Sequence, residues 1–230
     1  MKRDYSVLKK KLPHKIFAIG YNKTATTSIH NFFRKNGLLS QHESCNWKED
    51  KFQCFSDNGD LHDFKQYYEK YPNSIFLLNT RRVDKWVMSR GKHYQFSKWC
   101  KPGHKYPSIA RYKDWLEKRQ KYYMDILDFF QKDPTRLYIV NIDKEDWLGY
   151  LAYIFNLKHI EVHSNKMADT KIPQEFLDLI SKMFDGACGV LGIKEEDKAS
   201  PLLIKSMFKK QSDYERYEKI LESYGENVYL

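Results

Sequence analysis

No apolar run reaches eighteen residues, so a membrane-spanning helix is not expected. The stretch from Met1 to Lys11 lacks the apolar centre of a secretory signal, and a cytoplasmic, unanchored protein is the expectation. Cysteine is sparse. Cys45, Cys54, Cys100 and Cys188 are scattered and form no CxxC pair, which argues against a zinc site. Cys45 and Cys54 could pair in an oxidising compartment, but reduced thiols are the simpler reading without a secretion signal. There is no Gly/Ser linker, internal repeat or low-complexity tract. No metal-ligand constellation is visible, so no metal is expected. The formal charge of +10 suits polyanions, including acidic glycans and a multiply charged cofactor. No RNP motif, zinc finger or clear helix-turn-helix signature accompanies that charge. The runs Lys9–Lys11 and Lys209–Lys210 therefore read as solvated faces, and nucleic acid is not the expected partner.

What is present is enough chain for one sizeable domain: 230 residues, 16% of them aromatic. The boundaries read as a single domain over 1–230, with a basic segment at 1–14 and a helical C-terminal extension from about 200 to 230. Buried-strand patterns lie at 16–20, 74–79 and 137–142, with a further short strand near Leu38 or Val162. Apolar spacing near 3.6 predicts helices over 24–36, 60–71, 83–94, 108–132, 145–155, 173–185 and 212–224. Strands separated by helices imply an α/β fold, a mostly parallel central sheet flanked by crossover helices. Ligand loops then belong at the carboxyl ends of strands.

One such loop is distinctive. The apolar run Ile16–Ile19 meets Gly20, then Lys23, then Thr24, Ala25, Thr26, Thr27 and Ser28, before an amphipathic stretch carrying Ile29, Phe32 and Phe33. Strand, tight loop and helix in that order expose helix N–H groups to an anion, and small residues let a phosphate approach the backbone. A nucleoside-triphosphate loop places its lysine late, after a second glycine and beside Ser or Thr. Here the lysine precedes the hydroxyl cluster. Ala25 fits without strain only if its φ is negative.

A second element follows the strand pattern at 74–79. Arg81 comes just after it, and Ser89 lies eight residues further on, on the following helix. A guanidinium grips phosphate through two parallel hydrogen bonds, and a hydroxyl can add a third. Arg82, next in line, could exchange roles with Arg81.

Lys23 to Ser28 resembles the 5′-phosphosulfate loop of sulfotransferases, usually Lys-[Ser/Thr]-Gly-Thr-Thr, with Ala25 at the usual glycine. Arg81 and Ser89 resemble the 3′-phosphate element of the same family. The wording from Tyr71 to Arg90 is close to one branch, and the resemblance is firm over about 15–37 and 68–94 and weaker from Leu137 to Lys166. It implies a P-loop-like α/β fold and the donor 3′-phosphoadenosine 5′-phosphosulfate (PAPS). It also implies a small-molecule or carbohydrate acceptor bearing a hydroxyl or amine. Lys23 would contact the bridging oxygen and sulfonate, the residues at 24–28 the 5′-phosphate, and Arg81 with Ser89 the 3′-phosphate. Lys166 could add a contact to that phosphate. The Arg-Lys-Gly cofactor motif of the cytosolic sulfotransferases is absent.

The acceptor needs a base. In the resembling branch a similar aspartate precedes the second element, which makes Asp57 the candidate, with Asp60 and His62 as runners-up. The stretch 40–66, which also holds His42, Glu43 and Asp63, would line the acceptor site. Competing readings are a P-loop kinase using ATP and magnesium, and a non-catalytic nucleotide-binding protein of the same fold.

Overall fold

In the computed structural model, residues 15–42, 46–96, 108–162 and 172–230 are described. The architecture is α/β, with a six-stranded, all-parallel sheet and, among the described residues, seven α-helices. The strands are β1 (Ile16–Ala18), β2 (Ser40–His42), β3 (Cys54–Ser56), β4 (Ile75–Thr80), β5 (Leu137–Asn141) and β6 (Val228–Tyr229). The helices are α1 (Thr26–Lys35), α2 (Phe64–Lys70), α3 (Val83–Phe96), α4 (Ile109–Phe130), α5 (Trp147–Ile154), α6 (Gln174–Leu191) and α7 (Gln211–Ser223). The expected sheet with crossover helices is what the chain forms. β2 is the short strand expected near Leu38 and begins two residues beyond it. β3 and β6 escaped the sequence pattern, because three and two residues are too short to show a period. No strand forms at Val162.

The described residues cluster into two compact units, one of residues up to 80, 133–162 and 226–230, the other of residues 81–132 and 172–225. The first contains the sheet, in the order β2-β3-β1-β4-β5-β6. β1 sits between β3 and β4, parallel to both, with Ile16 opposite Cys54 and Ile75. A strand paired on both edges and covered on both faces must be apolar throughout, which accounts for the unbroken run Ile16–Ile19. On one face Ile29, Phe32 and Phe33 of α1 pack with Ile16, Ala18, Leu77, Val140 and the α5 residues Leu148 and Leu151. On the other, Phe17 stacks between Phe55 and Phe76 with centroids 5.0 and 5.5 Å away, and Tyr67 of α2 lies 4.7 Å from it.

Chain order explains where loops gather. From β1 the chain passes through α1 to the far edge at β2, returns to β3, then crosses to β4 on the other side of β1. The connections therefore diverge at the carboxyl end of β1, the place where open parallel sheets bind ligands.

The second unit is helical around a buried cation. Arg119 of α4 is fully buried. Its guanidinium donates to the carbonyls of Leu202 (2.8 Å), Pro201 (2.7 Å) and Arg81 (3.1 Å). The rings of Tyr123 and Trp86 cover it at 4.6 and 5.6 Å. Gln120 adds a two-way bond to the backbone of Ile204, so α4 anchors the segment 201–204 through two consecutive side chains. The predicted helix at 173–185 runs on to Leu191 and ends at Gly192, whose φ of 67° suits glycine. The helix predicted from residue 60 starts at Phe64, because Asp63 caps it by accepting from the Lys65 N–H at 3.0 Å. The C-terminal stretch is helical in α7 but finishes as β6 on the sheet edge.

Candidate functional site

The loop after β1 is shaped by contacts with β4. A Cβ on Gly20 would lie 2.0 Å from the carbonyl oxygen of Asn79, so only glycine fits there. The Gly20 N–H donates to Asn79 Oδ1 at 3.0 Å. Asn79 Nδ2 donates to the Thr24 carbonyl at 2.8 Å and to Thr24 Oγ1 at 2.6 Å, and the Thr24 hydroxyl donates to the Tyr21 carbonyl. Asn79 and Thr24 are both fully buried. The Thr24 hydroxyl is thus committed to holding the loop, and its donor is spent inside it. Asn79 was not anticipated as a site residue. Its signal in the sequence is a buried amide inside the apolar strand Ile75–Thr80.

Between these anchors the backbone turns sharply. Lys23 and Ala25 have φ of 68° and 61°, left-handed values costly for residues with a Cβ. Ala25 therefore stands in the strained case, a conformation that glycine would adopt without cost. Ala25 caps α1 without a side-chain bond, and no acidic residue follows in the first turn. The helical ladder begins with Ile29 N–H to the Ala25 carbonyl at 3.0 Å. The N–H groups of Thr26, Thr27 and Ser28 precede it and point out of the helix end. Lys23 is half-buried beside them in sequence. Such an end carries partial positive charge and attracts anions.

A second strained turn meets the first. Asp57 and Asn58, immediately after β3, have φ of 77° and 54°. They bring Gly59 so close to Ile19 that a Cβ there would lie 2.4 Å from the Ile19 carbonyl carbon. Among the described residues, five non-glycines have positive φ, and four of them are in these two turns. Strain of this kind persists where surrounding structure enforces it, and it concentrates at functional sites. The result is that the Thr26 hydroxyl donates to Asp57 Oδ1 at 3.1 Å. His42, at the end of β2, places Nε2 at 3.3 Å from Thr26 Oγ1 and 3.2 Å from Thr27 Oγ1. His30, one turn along α1, lies 5.4 Å from His42 ring to ring and bonds Ser40 Oγ through Nδ1 at 2.9 Å. The structure thus brings Asp57 and His42 to Thr26. From the sequence alone His42 is one polar residue of the irregular stretch 40–66, with nothing to single it out.

The runners-up are placed differently. His62 is nearly buried and lies flat on Trp47, 3.7 Å between centroids, with its Nδ1 3.4 Å from the Tyr67 hydroxyl. It belongs to the aromatic layer on the Phe17 face. Asp60 sits half-buried in the single turn Gly59–Leu61.

Arg81 and Ser89 belong to the second unit. Arg81 directly follows β4, is half-buried, and its carbonyl is held by Arg119. Ser89 lies half-buried on α3. Arg82 forks onto Asp84, with bonds of 3.2 and 2.6 Å. Lys166 and Glu43 lie outside the described residues. Cys54 is a buried free thiol whose pKa burial pushes up; Cys45 lies outside the described residues. Among the described residues no group of three or more His, Cys, Asp or Glu side chains gathers as metal ligands do, and no helix is long and apolar enough to cross a membrane. No protein-family model matches the chain, and no curated protein matches it.

Proposed function

We propose that the protein is a PAPS-dependent sulfotransferase that moves a sulfuryl group to a hydroxyl or amine acceptor by in-line displacement. One observation supports this most: the uncapped N-terminus of α1, entered through a strained loop that carries Lys23 and touches the carboxylate of Asp57. An open helix end fits the 5′-phosphate, because its N–H groups donate to an anion at no reorganisation cost. PAPS supplies the sulfuryl group and leaves as 3′-phosphoadenosine 5′-phosphate (PAP). Lys23 neutralises charge on the 5′-phosphate side, while the N–H groups of Thr26, Thr27 and Ser28 hold that phosphate. Ala25 contributes its small size and turn, and Thr24 contributes rigidity. Arg81 and Ser89 hold the 3′-phosphate. Arg82 already serves Asp84, so the first arginine takes this role. Asp57 receives the acceptor's proton, with one oxygen anchored by Thr26. The acceptor is a small molecule or carbohydrate.

A second reading rests on one specific contact. A loop hydroxyl bonded to an aspartate after a neighbouring strand can also hold magnesium on a nucleoside triphosphate. Calorimetry separates the two. The proposal expects PAP to bind far more tightly than AMP or ATP with magnesium, and radiolabelled PAPS to be turned over in EDTA. Tighter binding of magnesium-ATP than of PAP, or turnover lost in EDTA and restored by magnesium, favours the kinase-like reading. PAP binding with no turnover against a broad acceptor library favours a non-catalytic binding protein.

A further inference from the structure

We propose that His42 is a positioning residue of the anion loop: protonated on Nε2, it keeps the Thr27 hydroxyl proton available to the bound phosphate. This rests on the anion site proposed above, though not on the identity of the nucleotide.

Donor counting carries the inference. A threonine hydroxyl has one proton and two lone pairs, and an ionised carboxylate only accepts. The Thr26 proton goes to Asp57 Oδ1, so the Thr26 oxygen can meet His42 Nε2 only as an acceptor. Nε2 must therefore carry a proton; a bare nitrogen would set lone pair against lone pair at 3.3 Å. The same N–H lies 3.2 Å from Thr27 Oγ1. Thr27 accepts a share of it, and its own proton is left to point elsewhere. A phosphate oxygen needs a donor. With the opposite tautomer, Thr27 would donate to the ring and turn lone pairs towards the anion. The tautomer of His42 thus sets the sign of the Thr27 contribution.

The fold explains why this arrangement is reproducible. His42 and Ser56 are register partners on the parallel strands β2 and β3, and Asp57 follows Ser56. Two neighbouring strands deliver a donor and an acceptor to the same hydroxyl at their carboxyl ends. Thr26 and Thr27 are successive residues of the first turn of α1, so one imidazole reaches both. Among the described residues, the titratable groups near the ring include His30 on α1 and, through Thr26, Asp57.

Calorimetry with PAP and with inorganic pyrophosphate tests the proposal on five proteins: wild type, His42→Gln, His42→Leu, Thr27→Val and the His42→Leu/Thr27→Val double variant. Glutamine places an amide N–H where Nε2 lies; leucine places none. His42→Leu is expected to weaken both ligands about tenfold, the size of one hydrogen bond to a charged group. His42→Gln should stay within about threefold of wild type. In the Thr27→Val background, removing His42 should add less than about twofold, because the effect runs through that hydroxyl. Equal binding by His42→Leu and wild type would overturn the proposal. So would a glutamine variant as weak as leucine, or losses that multiply. Should the leucine variant fail to fold, nitrogen NMR of wild-type His42 decides: an Nε2–H tautomer supports the proposal and an Nδ1–H tautomer ends it. If pyrophosphate follows the expected pattern while PAP binds no better than AMP, the PAPS reading falls and the role of His42 stands. If wild type binds neither ligand, both fall.

Discussion

The loop at 20–28 and the segment from Arg81 to Ser89 are both proposed to hold phosphate, yet they are stabilised in contrasting ways. Side chains from other strands shape the loop: Asn79 on β4, Asp57 after β3 and His42 on β2. They hold Lys23 and Ala25 in left-handed conformations that those residues disfavour. The Arg81 segment has no residue of positive φ and starts a regular helix; one buried guanidinium, Arg119, gathers its carbonyl with those of Pro201 and Leu202. The loop thus stores strain within a dense polar network, whereas the other segment is regular and is tied through its backbone, by Arg119 at the Arg81 carbonyl and by the Val83 N–H, which donates to the Ser200 carbonyl at 3.0 Å. Point changes in the loop should therefore act mainly on chemistry. Changes around Arg119 should act mainly on stability.

The largest effect expected from this contrast is at Asp57. Asparagine still accepts from Thr26 but cannot take a proton, so Asp57→Asn should keep PAP affinity and fold while losing about 10²–10⁴ of turnover. His62→Gln, in the aromatic layer, should be mild by comparison. The reverse order in steady-state assays would move the base to His62. Next is Lys23→Ala. A lost preorganised positive charge costs about 10²–10³ in rate, while PAP affinity should stay within about an order of magnitude. Near-normal turnover would reduce Lys23 to a surface lysine.

On the other side of the comparison, Arg119→Met leaves three carbonyls short of a donor in a buried site. Denaturant unfolding should show a loss of about 3 kcal/mol, the sum of several unmet acceptors. A loss below about 1 kcal/mol would mean that water or relaxation replaces the guanidinium and that Arg119 is not what holds this segment. Arg81→Ala should weaken PAP about ten- to a hundredfold with stability nearly unchanged. Because only the Arg81 backbone meets Arg119 in that bond, truncating the side chain leaves the anchor in place. Equal affinity of wild type for PAP and AMP would remove the 3′-phosphate assignment.

The smallest effect is the most direct probe of strain. At φ of 61° glycine carries no steric penalty, so Ala25→Gly should stabilise the fold by about 1 kcal/mol despite the extra entropy of the unfolded chain. For a protein of this size that is a rise in Tm of about 2–4 °C. An unchanged or lower Tm would show that the loop relaxes around alanine without cost.

How much of this was legible depends on distance along the chain. The strand–loop–helix from Ile16 to Lys35 was readable because its signals are local: an unbroken apolar run, a glycine, small residues, then an apolar stripe. The seven helices were readable for the same reason, with ends shifted by caps such as Asp63 or by the run to Gly192. The short strands β3 and β6 were not, since two or three residues outside a longer apolar run display no pattern. His42 and Asn79 were missed because their importance lies in partners 16 and 55 residues away.

Local pattern and composition were enough for an α/β chain of parallel strands and crossover helices, with a tight loop leading from the first strand into a helix. Apolar period and turn chemistry act over a few residues and need no knowledge of the rest. Strand order was beyond their reach, and so was everything that follows from it. That β1 lies between β3 and β4 is what puts Asp57 on Thr26 and Asn79 on Thr24. The same long-range contacts force Ala25 to a positive φ and select His42 from a polar stretch. Such contacts depend on which distant segments become neighbours, a choice made by how the strands order themselves and pack against the helices that cover them.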